Sequence, residues 1–333
     1  MGQQRRLIIS LRSPQYSEVV CCTASLGAPR NVQMTLPSRR AALAFFAFVA
    51  IAGIVAIIGA RITVTQDSPG PINGAALVPR RTNADATPPR VPFDSATPRL
   101  VVCAKKSYPH DTSAFTEGLL LYNGRLLEST GLEGHSEVRE VDATTGLPRR
   151  RVTLSGTLFG EGIAVVESRL YQLTWQTGRG FVYDATSFAP VDSFSFSGEG
   201  WGLTADGVQL YMSDGSDHIR VITPAGFKSV RTIAVTESGR PVWMLNELEW
   251  VRGELWANVY QTDLIARIDP STGIIRGWLD LSQLQTPLER ETLRGRGAVA
   301  NGIAVDSIRH RALVTGKLWP KLYEFDIPSR PQR

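Results

Sequence analysis

Leu158-Phe159-Gly160-Glu161-Gly162-Ile163-Ala164-Val165-Val166 sets one carboxylate between two glycines, after an aromatic and before an apolar run. Tyr171-Gln172-Leu173-Thr174-Trp175 follows at once. The layout returns at Phe115-Thr116-Glu117-Gly118-Leu119, Glu199-Gly200-Trp201-Gly202-Leu203, Leu245-Asn246-Glu247-Leu248-Glu249 and Val299-Ala300-Asn301-Gly302-Ile303. Aligned on Glu117, Glu161, Trp201, Glu247 and Asn301, the copies stand 44, 40, 46 and 54 residues apart. Five copies at such a period mark a β-propeller with one four-stranded blade per copy. The predicted fold is all-β, a five-bladed propeller over residues 100–333.

Within each copy the apolar run leads through a turn to a second strand and then to turns of the type Asp-x-x-x-Gly, such as Asp142–Gly146 and Asp269–Gly273. An Asp side chain there bonds the backbone two residues on, and Gly accepts positive φ. Residues 99–106 look like a strand that completes the last blade and closes the ring, removing its sheet edges. Cys103 then reads as a buried apolar filler. The longest step contains Leu281 to Arg296, rich in Leu, Glu, Gln and Arg, which predicts a short helix.

The chain carries a net charge of +5, and the first 99 residues hold 11 Arg against 4 acidic residues. The remainder holds 25 basic and 27 acidic residues, so the propeller has no positive excess for a phosphate backbone. Nucleic acid is excluded as a partner. Three cysteines (Cys21, Cys22, Cys103) leave only one in the propeller, and the four histidines have no metal-ligand spacing.

Residues 41–60 contain no charge and, at 1.5 Å per residue, reach about the 30 Å thickness of a bilayer core. Six arginines precede the run, which places residues 1–40 in the cytoplasm and the propeller outside. A cleaved signal peptide is the rival reading. Ile58 at minus three before a cut after Ala60 suits cleavage poorly, so an uncleaved anchor is preferred. Residues 1–33 do not read as structure, and Met34 is an alternative start. Residues 61–99 hold seven prolines and few large apolar groups, the composition of an extended linker. The expected location is the periplasmic, extracytoplasmic face of the inner membrane, with residues 41–60 as the membrane contact.

Seven ordered motifs then converge on one resemblance. They are Tyr108-Pro109-His110-Asp111 with Phe115–Leu119, Glu128-Ser129-Thr130-Gly131-Leu132, Phe159–Gly162, Gly198–Leu203, Leu245–Glu249, Ala257-Asn258-Val259-Tyr260-Gln261-Thr262-Asp263, and Thr315-Gly316-Lys317-Leu318-Trp319-Pro320. Over residues 100–327 the chain closely resembles the plant and bacterial glutaminyl cyclases, or glutamine cyclotransferases. The resemblance implies a five-bladed propeller that converts the N-terminal glutamine of peptides or proteins to pyroglutamate and releases ammonia. It also implies that Glu161 is the catalytic acid/base, and it makes Lys317 and Asn246 matching positions. Two residues depart from the family's usual pattern: Glu117 replaces Gln, and Tyr260 replaces Trp.

The chemistry supports the same assignment. An α-amine attacking its own γ-carboxamide needs a held near-attack conformer and one proton moved from amine to leaving nitrogen. Glu161, desolvated by Phe159, Trp175 and Trp201, would have a raised pKa suited to that transfer. Lys317 and Asn246 could donate to the γ-carbonyl and the oxyanion that forms from it. Phe115, Glu117, Phe159, Trp175, Trp201 and Tyr260 would hold the substrate, with Glu117 either raising one pKa of the acid pair or binding the substrate ammonium. Trp243, Trp250, Trp256 and Trp278 read as packing. No cofactor is required by this chemistry, although a structural calcium ion would be compatible with it. Two other classes remain open: a metal-dependent propeller lactonase or esterase using Glu117, Glu161, Glu247 and Asn301 as oxygen ligands, and a non-catalytic peptide-binding propeller. Activity in chelator separates the first from the cyclase; ammonia release separates the second.

Overall fold

Short apolar runs joined by tight turns make each copy an antiparallel meander. Asn123 and Gly124 both take positive φ (51° and 76°), the turn geometry that matches the twist of a two-strand hairpin. The Asp-x-x-x-Gly turns form as predicted: Asp142 Oδ1 accepts from Thr144 N at 2.7 Å, and Asp269 Oδ1 from Ser271 N at 2.9 Å.

The computed structural model describes residues 96–329. The apolar run 41–60 and most of the linker lie outside the described residues. Among the described residues no helix is long and apolar enough to cross a membrane.

Blade one comprises Thr116–Tyr122, Arg125–Thr130, Glu137–Val141 and Pro148–Thr153, from the channel outward. Blade two repeats this with Gly160–Val166, Arg169–Thr174, Arg179–Asp184 and Pro190–Ser195, and blade three with Leu203–Ala205, Leu210–Ser213, His218–Thr223 and Lys228–Ala234. Blade four runs through Leu245–Val251, Glu254–Val259, Leu264–Ile268 and Ile275–Asp280. Blade five has Ala300–Asp306, Arg311–Gly316 and Lys321–Asp326, completed at its outer edge by Lys106–Pro109. Inner strands are buried almost throughout, whereas the outer strand Pro190–Ser195 is mostly exposed. Sheets pack face to face; one apolar cluster joins Trp256, Ile265 and Leu279 of blade four to Ile303, Val314 and Phe325 of blade five.

The ring closes with a strand from the N-terminal side, as expected, but the predicted strand 99–106 is divided. Arg99–Val101 pairs in parallel with Trp278–Asp280 as a fifth strand of blade four. Only Lys106–Pro109, pairing with Lys321–Glu324, closes blade five. Cys103 sits in the passage between these two strands and is half-buried, not a buried filler. The predicted helix is Pro287–Leu293, begun by a Thr286/Glu289 capping box with Pro at its first turn.

The repeated Glu-Gly signature has a steric origin. In four copies the strand pairing slips at the aligned residue, between Thr116 and Gly118, Gly160 and Ile163, Leu245 and Leu248, and Ala300 and Ile303. Such bulges re-aim a side chain, and here they bring the column residue inward. The next residue then meets the neighbouring blade. A Cβ on Gly162 would lie 2.4 Å from Leu203 N, and one on Gly202 would lie 2.1 Å from Asn246 O. Gly118 and Gly302 make the corresponding approaches to Ile163 and Thr116. Copy four has Leu248 instead and spans the gap with a side chain: Asn258 Oδ1 accepts from Gly302 N at 3.1 Å.

Gly202→Ala is therefore expected to destabilise by about 1–3 kcal/mol through overpacking, read as a lowered urea midpoint. Gly156→Ala, with nothing within 4 Å of the added methyl, should leave it unchanged. Equal midpoints for both variants would contradict this account of the channel.

Candidate active site

Three positions in each copy build one mouth of the channel. The first is the column itself. The second lies two residues earlier and supplies Phe115, Phe159 and Glu199. The third immediately follows each blade's second strand and supplies Gly131, Trp175, Asp214, Tyr260 and Lys317. Backbone bonds register the last two positions: Gly131 N donates to Phe115 O, Trp175 N to Phe159 O, and Lys317 N to Val299 O.

At the centre, Lys317 Nζ donates to Glu117 Oε1 and Oε2 at 2.6 and 2.7 Å. Asn301 Nδ2 donates to Glu117 Oε2 at 3.0 Å and to Thr116 O at 2.9 Å. Glu161 shares a hydrogen bond with Glu117. All four side chains are buried, with 5% or less exposed. Burial pushes both carboxyls up, and the Glu117 charge raises Glu161 further, while Lys317 pulls Glu117 back down. Both remain above the usual carboxylate range, Glu161 well above it, so of the two Glu161 holds a proton the more tightly.

Around this pair runs a closed wall of half-buried side chains. Phe115 meets Phe159 edge-on at 6.1 Å, and Phe159 meets Trp175 at 5.6 Å. Trp175 Nε1 and Trp201 Nε1 both donate to Glu199 Oε2 at 2.9 Å. Trp201 meets Tyr260 at 5.7 Å, and Lys317 Nζ lies 5.5 Å from the Tyr260 ring and 4.6 Å from the Phe115 ring, completing the circuit. Gly131 leaves room for Phe159, since a Cβ there would stand 2.3 Å from that ring.

Asn246 lies at the start of the inner strand of blade four, buried, with its side-chain oxygen unpartnered. Glu247 sits beyond it in the channel, where burial raises it well above the usual carboxylate range and backbone amides of Leu119 and Ile303 donate to it. The lysine loop is held from behind. His110 Nδ1 faces Trp319 O at 2.7 Å and Nε2 faces Glu128 Oε1 at 3.0 Å. Two acceptors require both ring nitrogens to carry hydrogen. Burial would lower this histidine, but the Glu128 carboxylate outweighs it and the pKa is raised.

Of the sequence-predicted residues, Phe115, Glu117, Phe159, Glu161, Trp175, Trp201, Tyr260 and Lys317 are brought together by these contacts, and Asn246 stands next to Glu247 on the inner strand of blade four. Sequence reasoning missed Glu199, although Gly198-Glu199-Gly200 repeats the Gly-Glu-Gly signature of Glu161. Trp256 and Trp278 are core residues as expected, and Trp250 stacks on Tyr211 at 5.2 Å. Trp243 is not packing: it is 46% exposed. Its neighbour Met244 donates to Gly215 O and accepts from Tyr260 N, which puts Trp243 on the rim.

The fold is a five-bladed propeller with a buried, hydrogen-bonded acid pair beneath an aromatic wall at one mouth of its channel. The glutamine cyclotransferase family model matches residues 76–327, and the chain belongs to that family. It is 45% identical to a glutaminyl-peptide cyclotransferase of Arabidopsis thaliana over 222 residues, 66% of this chain and 69% of the relative. It superposes on the crystal structure of Myxococcus xanthus glutaminyl cyclase with a TM-score of 0.65 and 38% identity, covering 68% of this chain and 96% of that one.

Lys317→Met should cost about 3–5 kcal/mol in urea unfolding, because it strands a buried carboxylate. Adding Glu117→Gln should recover most of that loss. Strict additivity of the two single effects would show that the pair does not interact.

Proposed function

We propose that this chain is a glutaminyl-peptide cyclotransferase, closing N-terminal glutamine to pyroglutamate with release of ammonia. The observation that carries the mechanism is the buried Glu161 hydrogen-bonded to Glu117, which Lys317 holds through both carboxyl oxygens; in this reading Glu161 carries the proton. The glutamine side chain enters the aromatic circuit. Its neutral α-amine attacks the γ-carbonyl carbon, and the C–N bond of the lactam forms as the carbonyl becomes an oxyanion. An ammonium has three N–H groups; Glu117 engages two donor contacts of Lys317, and the remaining hydrogen meets the oxyanion. The unpartnered Asn246 oxygen accepts from the γ-carboxamide NH2. Glu161 protonates the leaving nitrogen, the C–N bond to ammonia breaks, and the proton lost by the attacking amine restores the acid. No net proton is consumed.

Metal-dependent hydrolysis is the weaker reading, because its oxygen set is already engaged. Lys317 neutralises Glu117, Glu161 keeps a proton, and Glu247 receives backbone amides. That set does not suit calcium, and the reaction needs no cofactor. Full activity in chelator is expected.

The uncharged run 41–60, the six arginines before it and the proline-rich 61–99 support an enzyme tethered by that run. The propeller would stand clear of the periplasmic, extracytoplasmic face of the inner membrane, reaching peptides or proteins with N-terminal glutamine. Fractionation should then recover the full chain in carbonate-washed membranes; recovery only in the soluble fraction would refute the anchor.

Glu161→Gln should lower ammonia release from a Gln-initiated dipeptide by about 10²–10⁴-fold with an unchanged circular-dichroism spectrum. Glu117→Gln removes the negative neighbour that raises Glu161, so the acid's pKa falls. The alkaline limb of kcat/KM, where protonated Glu161 is lost, should move to lower pH. A limb that stayed in place or moved up would remove Glu161 as the titrating acid.

A further inference from the structure

Beside the acid pair lies a second cavity of about 410 Å³, walled by Gln261, Asp263, Gln285, Arg290, Arg294 and Trp319 among others. Four links tie it to the catalytic mouth. Gln261 follows Tyr260 directly. Val299, another of its lining residues, accepts from Lys317 N at 2.9 Å. Trp319 lies two residues beyond Lys317. A Cβ on Gly297 would lie 3.9 Å from the Phe115 ring. Tyr260, Lys317 and Phe115 thus form the partition between the two spaces.

Two side chains of the cavity wall hold donors that are sealed from solvent and unpaired. Gln285 is 8% exposed and Trp319 1% exposed, and neither Gln285 Nε2 nor Trp319 Nε1 has a partner. Buried N–H groups left unpaired are costly and rare. Around them the cavity is basic. Arg290 is paired with Asp263 at 2.8 Å and donates to Ser282 O, while the Arg294 side chain is 78% exposed and bonded only to the exposed Glu291. These groups want acceptors: carbonyl oxygens or a carboxylate.

Resting on the cyclotransferase reading, we propose that this cavity is an extension subsite for the residues that follow the N-terminal glutamine, selecting an acidic side chain there. The N-terminal residue fills the aromatic circuit, so the rest of the peptide must leave over its rim. An extended chain advances about 3.3 Å per residue, and Val299 and Gly297 of the cavity wall adjoin Lys317 and Phe115 of the mouth, so the second and third residues reach the next space. The backbone of that segment lies along the wall that Gln285 and Trp319 help to form, and an acidic side chain meets Arg294.

The test compares kcat/KM for three amidated peptides: Gln-Ala, Gln-Ala-Glu-Ala and Gln-Ala-Lys-Ala. The wild-type enzyme should prefer the acidic tetrapeptide over the lysine one by about tenfold. Arg294→Glu, a change at an exposed position, should abolish or reverse that preference, and Gln285→Leu should slow both tetrapeptides; neither should alter the rate on Gln-Ala. Turnover of all three peptides at one rate, or variants that slow Gln-Ala as much as the tetrapeptides, would overturn the subsite alone. No ammonia from any of the three would sink the cyclotransferase reading and the subsite with it.

Discussion

Five inner strands must converge on one axis, and that convergence governs everything else in the propeller. Chains approach so closely at the channel mouth that a methyl on the residue after the inward-pointing side chain would strike backbone in three of five blades and crowd side chains at 3.2 Å in a fourth. A bulge releases the preceding residue from the alternation of its strand. Each blade therefore contributes one side chain to a crowded axis. Water is excluded there by geometry, and the chemistry of whatever side chain occupies the position is amplified by desolvation.

Two acids and one ammonium in that space make a mixed electrostatic unit. Were both carboxyls ionised, their repulsion and desolvation would outweigh the single lysine; were both neutral, the lysine would be stranded. One proton for two acids is the balanced state, and the hydrogen bond between Glu117 and Glu161 describes it. The lysine's place in turn depends on the doubly bonded imidazolium of His110 and on Glu128, which His110 and Arg139 hold at about 2 against the upward push of burial. Glu128 also accepts from Thr116 Oγ1 at 2.7 Å, beside Glu117 in the chain. The two ionic clusters are thus joined through adjacent residues of one strand.

Much of this was legible in the sequence because the constraint repeats. Gly after Glu117, Glu161, Trp201 and Asn301 is a steric demand imposed four times, so the period, the blade number and the column could be read without coordinates. The third set of positions shows no such repeat: Trp175, Tyr260 and Lys317 were reached through residue type and the family resemblance, and Gly131 and Asp214 were missed. Gly131, Trp175, Asp214, Tyr260 and Lys317 share a place in the fold but no residue type, since each meets a different neighbour across the mouth. Glu199 escaped for a related reason: it occupies in blade three the position that Phe115 and Phe159 fill in blades one and two. Trp243 was read as packing from its residue type alone, whereas burial is decided by the loop that carries it. The divided N-terminal strand was hidden because an apolar run such as Leu100-Val101-Val102 suits either of two adjacent blades.

That divided strand has a mechanical consequence. Pull arriving along the chain from its N-terminal side meets the parallel ladder between Arg99–Val101 and Trp278–Asp280 first, reinforced by the Arg99–Asp280 ion pair. The strand that closes blade five lies behind it, shielded from the load. A tug of that kind would shear three rungs along their length while the ring itself stayed shut, so the extra strand behaves as a strain relief at the point where a cable enters its housing.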